Sequence, residues 1–318
     1  MVDYVVKHRE MDRAAVDIDQ PMSLLGFDSA GFVALGRAMG EWVGKEISPA
    51  IVYKYTTIRE VAGFLARGAD EAELSNPDAD DAIEPDLDAP IAVVGIGLKA
   101  PGGPTGNLVG KEAFWRFVLQ GGDAIREDMP AERKHESNIT LPGGYIDAPD
   151  AFDAHFFGMS PAEAAHMDYH QGLVLETAWH ALEDAGIEPA ALSGRTCGVY
   201  IGAISHEFAV LESLRGESST FAATGVSNSL VSNRLSYLLN VRGPSLTVDT
   251  ACSSSLVAVN DAVRDLRMGQ CGVALAGGVN LILSSSASTA LKKAGFLSTA
   301  CRTFDSQGDG YCRGEVRA

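Results

Sequence analysis

The sequence has no apolar run approaching the roughly 18 residues that a membrane-spanning helix needs, so it reads as a chain without a membrane span. Paired cysteines are missing too. Cys197, Cys252, Cys271, Cys301 and Cys312 form no C-x-x-C motif and no even framework, and no secretory apolar segment precedes them, which makes a reducing cytoplasm the expected location. Cys301 and Cys312 have no nearby histidine, so a zinc site lacks its ligand set and no metal is expected. Positive charge is scarce. With 25 Lys and Arg against 42 Asp and Glu, the formal charge of -17 argues against a nucleic-acid surface, which needs clustered cations to neutralise phosphate, and suits basic protein partners better. No short-period repeat is present. At 318 residues and 46% hydrophobic content, the chain is long enough for two domains with ordinary cores.

One stretch divides it. Residues 69–90, ADEAELSNPDADDAIEPDLDAP, hold nine acids, three prolines and no Lys or Arg, too little apolar surface to offset the entropy of ordering them. Residues 69–88 therefore read as an acidic flexible linker between a small domain, 1–68, and a larger one, 89–318. The small domain is helical by period. Phe32, Leu35, Met39 and Trp42 or Val43 share a face of a helix opening at Asp28-Ser29, and Ile58, Val61, Ala62 and Leu65 share a face of another. Gly31, Gly36 and Gly40 weaken the first of these by about 1 kcal/mol each relative to alanine, so packing must hold it.

In the larger domain, short apolar or alternating runs at 91–97, 197–202, 245–250 and 272–279 read as strands. Helical patterns lie between them, notably at 171–185 and 253–268, and the alternation predicts a parallel-rich α/β sheet. Gly95-Ile96-Gly97-Leu98-Lys99-Ala100 satisfies a dinucleotide pattern, but Pro101-Gly102-Gly103-Pro104 follows where a helix must start, and no strand-ending acid appears about 20 residues on. A backbone turn needing small residues is the better account.

The segment SLTVDTACSSSLVAV, 245–259, changes from period two to helical period at Cys252. A thiolate there would face unpaired helix N–H groups and the positive end of the helix dipole, both of which lower a thiol pKa. Pattern alone leaves a second reading open, a small buried residue at a tight turn. The other four cysteines read as small buried hydrophobes. At the start of the earlier helix Ser29 poses a similar choice, between an N-cap and a hydroxyl carrying a phosphodiester beside the first-turn N–H groups.

These residues resemble known families. LLGFDSAGFVALGRAMGEWVGKEISPAIVYKYTTIREVAGFLA, 24–66, is similar to an acyl carrier protein, whose G-x-D-S serine, here Ser29, bears 4'-phosphopantetheine. From residue 89 the runs APIAVVGIGLKAPGG, FDAHFFGMSPAEAAHMD, LETAWHALEDAGIEP, NRLSYLLNVRGPSLTVDTACSSSLVAV, ALAGGVNLIL and TFDSQGDGYCRGE resemble, in order, the β-ketoacyl synthase of modular polyketide synthases. The resemblance implies a small all-α carrier bundle followed by the N-terminal half of a thiolase-like α/β fold, in which two similar halves pack as five layers and pair into a dimer. It also implies that Cys252 accepts the acyl chain for decarboxylative Claisen condensation with a malonyl-type extender. The partners implied are acyl and malonyl thioesters, a phosphopantetheinyl transferase, and other synthase domains, including acyltransferase and reductive domains.

The family's assisting histidines lie in E-A-H-G-T-G-T and N-x-G-H motifs, and neither occurs before Ala318. These residues are therefore expected to be a fragment whose catalytic half is incomplete; the alternative reading is a non-catalytic carrier and docking protein. Among the seven histidines only His206, in a surface or loop setting, merits attention. Other departures are Met167-Asp168-Tyr169-His170-Gln171-Gly172-Leu173 where the family has M-D-P-Q-Q-R-L, a shortened stretch between Leu297 and Arg302, and a carrier that lacks part of the usual first helix before Met11. A lost arginine in the first of these predicts an unsatisfied partner.

Overall fold

The computed structural model describes residues 1–9, 11–27, 29–45, 47, 51, 55–68, 84–133, 140–204, 206–216 and 219–318. Its contacts group into two units: Met1–Ala79 with Asp153–Met167 and Ser219–Gly225, and Asp80–Phe152 with Asp168–Ser218 and Val226–Ala318.

The first unit holds helices α1 (Val2–Arg9), α2 (Ser29–Val43) and α3 (Ile58–Ala66) around one apolar cluster. The helix before Met11 is short, eight residues, and its Val5 is fully buried in that cluster. On α2 the expected face buries Phe32, Leu35 and Met39 but stops there. Trp42 is 74% exposed and Val43 is also exposed, because α2 ends at Val43 and Ile47 and Ile51 supply the next buried apolar groups. On α3, Ile58 and Val61 are buried as expected, with Phe64 in place of Ala62 and Leu65. Thr57 and Glu60 cap this helix reciprocally. The Glu60 amide donates to Thr57 Oγ1 at 3.2 Å, and the Thr57 amide to Glu60 Oε2 at 3.0 Å. Asp28 lies outside the described residues.

The second unit is built on a six-stranded mixed sheet. Its strands are β1 (Lys99–Pro101), β2 (Asn107–Val109), β4 (Cys197–Ala203), β5 (Ser245–Val248), β6 (Val273–Asn280) and β8 (Val316–Arg317), in the order β2-β1-β8-β6-β4-β5; β3 (Gly143–Gly144) and β7 (Arg313–Gly314) pair separately. The trio β6-β4-β5 at one end of the sheet is parallel, with Val199 opposite Ser245 and Cys197 opposite Val273, while β8 runs antiparallel to β6 and β1 antiparallel to β8. Every residue of β4 is buried, as a strand covered on both faces requires. After α4 (Lys111–Leu119), helix α6 (Tyr169–Ala185) packs on β6; α7 (Glu207–Arg215) follows β4, α9 (Leu230–Leu238) packs on α6 and β4, α10 (Ser254–Arg267) lies on β4, β5 and β6, and α11 (Ser285–Lys293) follows β6, while α5 (Pro161–Ala165) and α8 (Ala222–Gly225) belong to the first unit.

One expectation needs correction. The run 91–97 forms no strand, although it reads as one. Gly95 and Gly97 instead lie against α6, where an added Cβ would stand 2.2 Å from the Ala181 carbonyl oxygen and 2.0 Å from that of Thr177. The glycine spacing is thus neither a nucleotide loop nor a turn. It permits a close approach to a helix backbone. An apolar cavity of about 730 Å³ lies beside this run and β6, walled in part by Val174, Leu256 and Val259. At the end of the acidic stretch the Asp86 amide donates to the Arg267 carbonyl at 2.8 Å, and Arg267 Nε donates to the Ala89 carbonyl at 3.0 Å, which ties Asp86 and Ala89 to the end of α10.

Candidate active site

Cys252 lies between β5 and α10, two residues before the first residue of that helix, and is exposed. A short hydrogen-bonded turn fixes the backbone around it. The Ala251 amide donates to Asp249 Oδ1 at 3.0 Å, the Thr250 amide to Ser254 Oγ at 2.9 Å, Ser254 Oγ to the Ala251 carbonyl at 2.7 Å, and Ser253 Oγ to the Thr250 carbonyl at 2.9 Å. The polar residues of VDTACSSS therefore close the turn that presents the thiol. Ala251 adopts φ 56, a left-handed conformation uncommon for alanine, which the surrounding bonds hold in place.

Two glycines set the helix height. Gly202 on β4 and Gly278 on β6 are directly paired, and both meet Ser255 in the first turn of α10. A Cβ on Gly202 would lie 2.5 Å from the Ser255 amide nitrogen, and one on Gly278 would lie 2.8 Å from Ser255 Cβ. Neither glycine was among the candidate residues; a glycine at the matching end of each of two strands was the available signal. At its far end α10 is fastened by Tyr200, whose hydroxyl donates to Asp265 Oδ2 at 2.7 Å. Burial, reinforced by that carboxylate, pushes the Tyr200 phenol well above its ordinary pKa.

Beyond β6, four consecutive amides donate to side chains. Leu281 bonds His170 Nε2 at 3.1 Å, Ile282 bonds Glu315 Oε1 at 2.7 Å, and Leu283 and Ser284 bond Glu207 Oε2 at 2.7 and 2.9 Å. Glu315 also accepts from Arg133 Nη1 at 2.6 Å and from the Ile146 amide at 2.6 Å, both deep in the protein. Burial pushes the Glu315 carboxyl up, against the downward pull of Arg133 and the two amides.

The altered 167–173 motif leaves no gap of the expected kind. His170, 1% exposed, accepts from Leu281 at Nε2, so its proton sits on Nδ1 and is donated to Asp168 Oδ1 at 2.7 Å. Gln171 accepts from Arg234 Nε at 2.8 Å. Among the described residues, the buried side-chain polar atoms without a partner are Arg9 Nε, Asn228 Oδ1 and Thr289 Oγ1, none of them in this motif.

His206 is exposed at the start of α7. Cys197 and Cys271 are buried as expected, but Cys301 is exposed and Cys312 half-buried, because both belong to a loop at the surface. Among the described residues no cluster of three or more acids, histidines or cysteines could hold a metal, and no helix is long and apolar enough to cross a membrane.

Ser29 opens the 15-residue helix α2. The N–H groups that open a helix favour an anion such as a phosphodiester, and Val33, one turn on, is 53% exposed. These residues fit a phosphopantetheine group.

Comparison with known proteins gives a family for each of the two regions. Residues 88–317 match the family described as beta-ketoacyl synthase, N-terminal domain, and residues 9–65 match the phosphopantetheine attachment site. A phenolphthiocerol/phthiocerol polyketide synthase of Mycobacterium tuberculosis is 38% identical over 334 aligned residues, covering 99% of this chain and 17% of that one. Erythronolide synthase EryA3 of Saccharopolyspora erythraea is 36% identical over 318, covering 94% of this chain and 10% of the relative. The chain thus spans less than a fifth of these curated relatives. Among solved structures, the ketosynthase from module 6 of the Bacillus subtilis bacillaene synthase superposes with a TM-score of 0.62 at 33% identity, covering 71% of this chain and 38% of that one. The oxazolomycin ketosynthase domain OzmH KS7 of Streptomyces albus also gives 0.62, at 37% identity, covering 71% and 41%. The fold of the second region is therefore thiolase-like, and the chain belongs to the β-ketoacyl synthase family of modular polyketide synthases, with a phosphopantetheine-attachment domain ahead of its ketosynthase region.

Proposed function

We propose that residues 1–68 carry acyl groups as thioesters on a phosphopantetheine attached to Ser29, and that residues 89–318 form the ketosynthase portion whose Cys252 accepts the acyl group, with residues 69–88 joining them. The observation that supports this most directly is the exposed Cys252 thiol on a tightly bonded turn at the start of α10. The attached group supplies a flexible arm ending in a thiol, on which an acyl chain travels as a thioester. Cys252 attacks the thioester carbonyl as a thiolate, a new carbon–sulfur bond forms as the original one breaks, and the departing thiolate takes up the proton that Cys252 lost, leaving the acyl chain on the protein. The amide of Cys252 itself is one candidate donor to the oxygen that becomes negative during this step. The activity assigned is acyl transfer in service of decarboxylative Claisen condensation with a malonyl-type extender.

The enolate formed by decarboxylation needs further donors, which the family takes from its two histidine motifs; those motifs are not among these residues. A phosphopantetheinyl transferase, the other synthase domains and a second ketosynthase copy complete the proposed partners, with the cytoplasm as location.

The test treats the protein with coenzyme A and a broad-specificity phosphopantetheinyl transferase, then with a simple acyl thioester, and reads intact mass and peptide maps. One phosphopantetheine that is lost in Ser29→Ala, and one acyl group that is lost in Cys252→Ala, are expected. Loading that persists in either variant refutes the corresponding assignment.

A further inference from the structure

We propose that Cys301 and Cys312 are a reversible thiol–disulfide pair that closes the surface loop between them, an oxidation site separate from Cys252. The loop folds back on itself at its base. Leu297 pairs with Tyr311, the Ser298 amide donates to the Tyr311 carbonyl at 3.0 Å, the Tyr311 amide to the Phe296 carbonyl at 3.1 Å, and Ser298 Oγ to Asp309 Oδ1 at 2.6 Å. This brings Cys312 to the turn that carries Cys301. Cys312 Sγ donates to the Ser298 carbonyl at 3.4 Å, and the Ala300 amide donates to Ser298 Oγ at 3.3 Å in the turn that leads to Cys301.

Both thiols have only weak partners to give up. Cys301 Sγ lies 3.5 Å from Thr303 Oγ1, and thiol hydrogen bonds of this kind are feeble. Exposure favours reaction: Cys301 is open to solvent and Cys312 half-buried, whereas Cys197 and Cys271 are each 1% exposed and shielded from oxidants. The tip of the loop can adjust. Phe304 is fully exposed at φ 64, a strained conformation for an aromatic residue with no buried contact to defend it, so moving it toward disulfide geometry forfeits little packing.

The two thiols have different roles. Burial, and next the negative field of Cys301, push the Cys312 thiol above its ordinary pKa, and Cys301 is the more exposed of the two, so Cys301 meets the oxidant first. The oxidant is a low-molecular-weight disulfide, RSSR. Cys301 thiolate attacks one sulfur, forming Cys301–S–S–R and releasing RS⁻; Cys312 then loses its proton, attacks the Cys301 sulfur and releases a second RS⁻. The released thiolates take up the two protons. Two protein thiols are oxidised to one disulfide while RSSR is reduced to two thiols. In a reducing compartment the pair stays open, and a fall in the thiol pool closes it.

The experiment exposes the full chain to oxidised glutathione, blocks remaining thiols with iodoacetamide, and maps peptides without reduction. The expected product is a peptide joining Cys301 to Cys312, lost on treatment with dithiothreitol, while Cys252 carries a separate glutathione adduct. In Cys312→Ser, whose folding is checked by circular dichroism, Cys301 should accumulate a lasting glutathione adduct because nothing resolves it. A lasting adduct on Cys301 in the unsubstituted protein, a disulfide from Cys301 to Cys252, or two unreacted loop thiols would each overturn the proposal.

Discussion

Replacing Gly202 by alanine tests whether the glycine pair beneath α10 sets the position of Cys252. The added Cβ would stand 2.5 Å from the Ser255 nitrogen, 2.6 Å from the Ser254 carbonyl carbon and 2.8 Å from Ser255 Cα, where ordinary contact begins at 3.4 Å. All three are backbone atoms, so no side chain can swing aside, and the first turn of α10 must lift by about 1 Å. Overpacking of this kind costs about 1–3 kcal/mol of stability. The functional effect should be larger, because a misplacement of about 1 Å at a reacting group can lower its rate by about 100-fold. Gly278→Ala is the milder companion: its nearest neighbour is Ser255 Cβ at 2.8 Å, with the Gly202 carbonyl oxygen next at 3.4 Å. Acylation of Cys252 by a simple thioester, followed by intact mass, should slow most in Gly202→Ala and less in Gly278→Ala, with urea unfolding midpoints falling in the same order. Wild-type acylation rates in a folded Gly202→Ala protein would refute the reasoning.

Two further outcomes follow from buried polar groups. Glu315→Ala removes the partner of buried Arg133 and the acceptor of the Ile146 and Ile282 amides, so urea unfolding should show a loss of about 3–5 kcal/mol; a loss under 1 kcal/mol would mean that water replaces the carboxylate freely. Burial, with the Glu315 charge next, pushes the Tyr145 phenol from 10.0 up to about 12. Between those values the folded chain keeps a proton that the unfolded chain has lost, so this group's contribution is fully present below about pH 10 and shrinks as the pH rises to about 12. The stability difference between the wild type and Tyr145→Phe should therefore decline over that window, and a constant difference would refute the shift.

The fold was legible wherever period and composition act locally. The strand at 197–203, the turn into α10, and helices expected at 171–185 and 253–268 and found at Tyr169–Ala185 and Ser254–Arg267 follow from alternation and helical spacing alone. The run 91–97 misled because apolar content predicts burial, whereas a strand also needs a hydrogen-bonding edge. Above the pairing of Val279 and Asn280 with β8, and of Gly278 with Ala318, the remaining edge of β6 borders the apolar cavity instead, and the glycines of the run lie on α6. The end of α2 misled for a related reason: a repeating face does not reveal where a core is already full, and Trp42 falls beyond that point.

At the site, the residues that share the VDTACSSS segment were readable because their bonds span only two to four positions. What supports them was not readable, since it depends on pairings between distant segments. Gly202 and Gly278 become neighbours only once β4 and β6 lie in register. His170 illustrates the same limit from the other direction. In the sequence it is a departure from M-D-P-Q-Q-R-L that predicts a weakened motif, yet in the fold its Nδ1–H meets Asp168 while Nε2 receives the amide of Leu281, 111 positions away. An imidazole can serve both partners at once because its two nitrogens take opposite hydrogen-bonding roles in the neutral ring. The motif is thus altered in letter while Leu281, just beyond the strand that carries Gly278, still has a side-chain acceptor. A changed residue therefore has to be weighed by the bonds its new side chain makes, and here those bonds lead back to the strand that supports the first turn of α10.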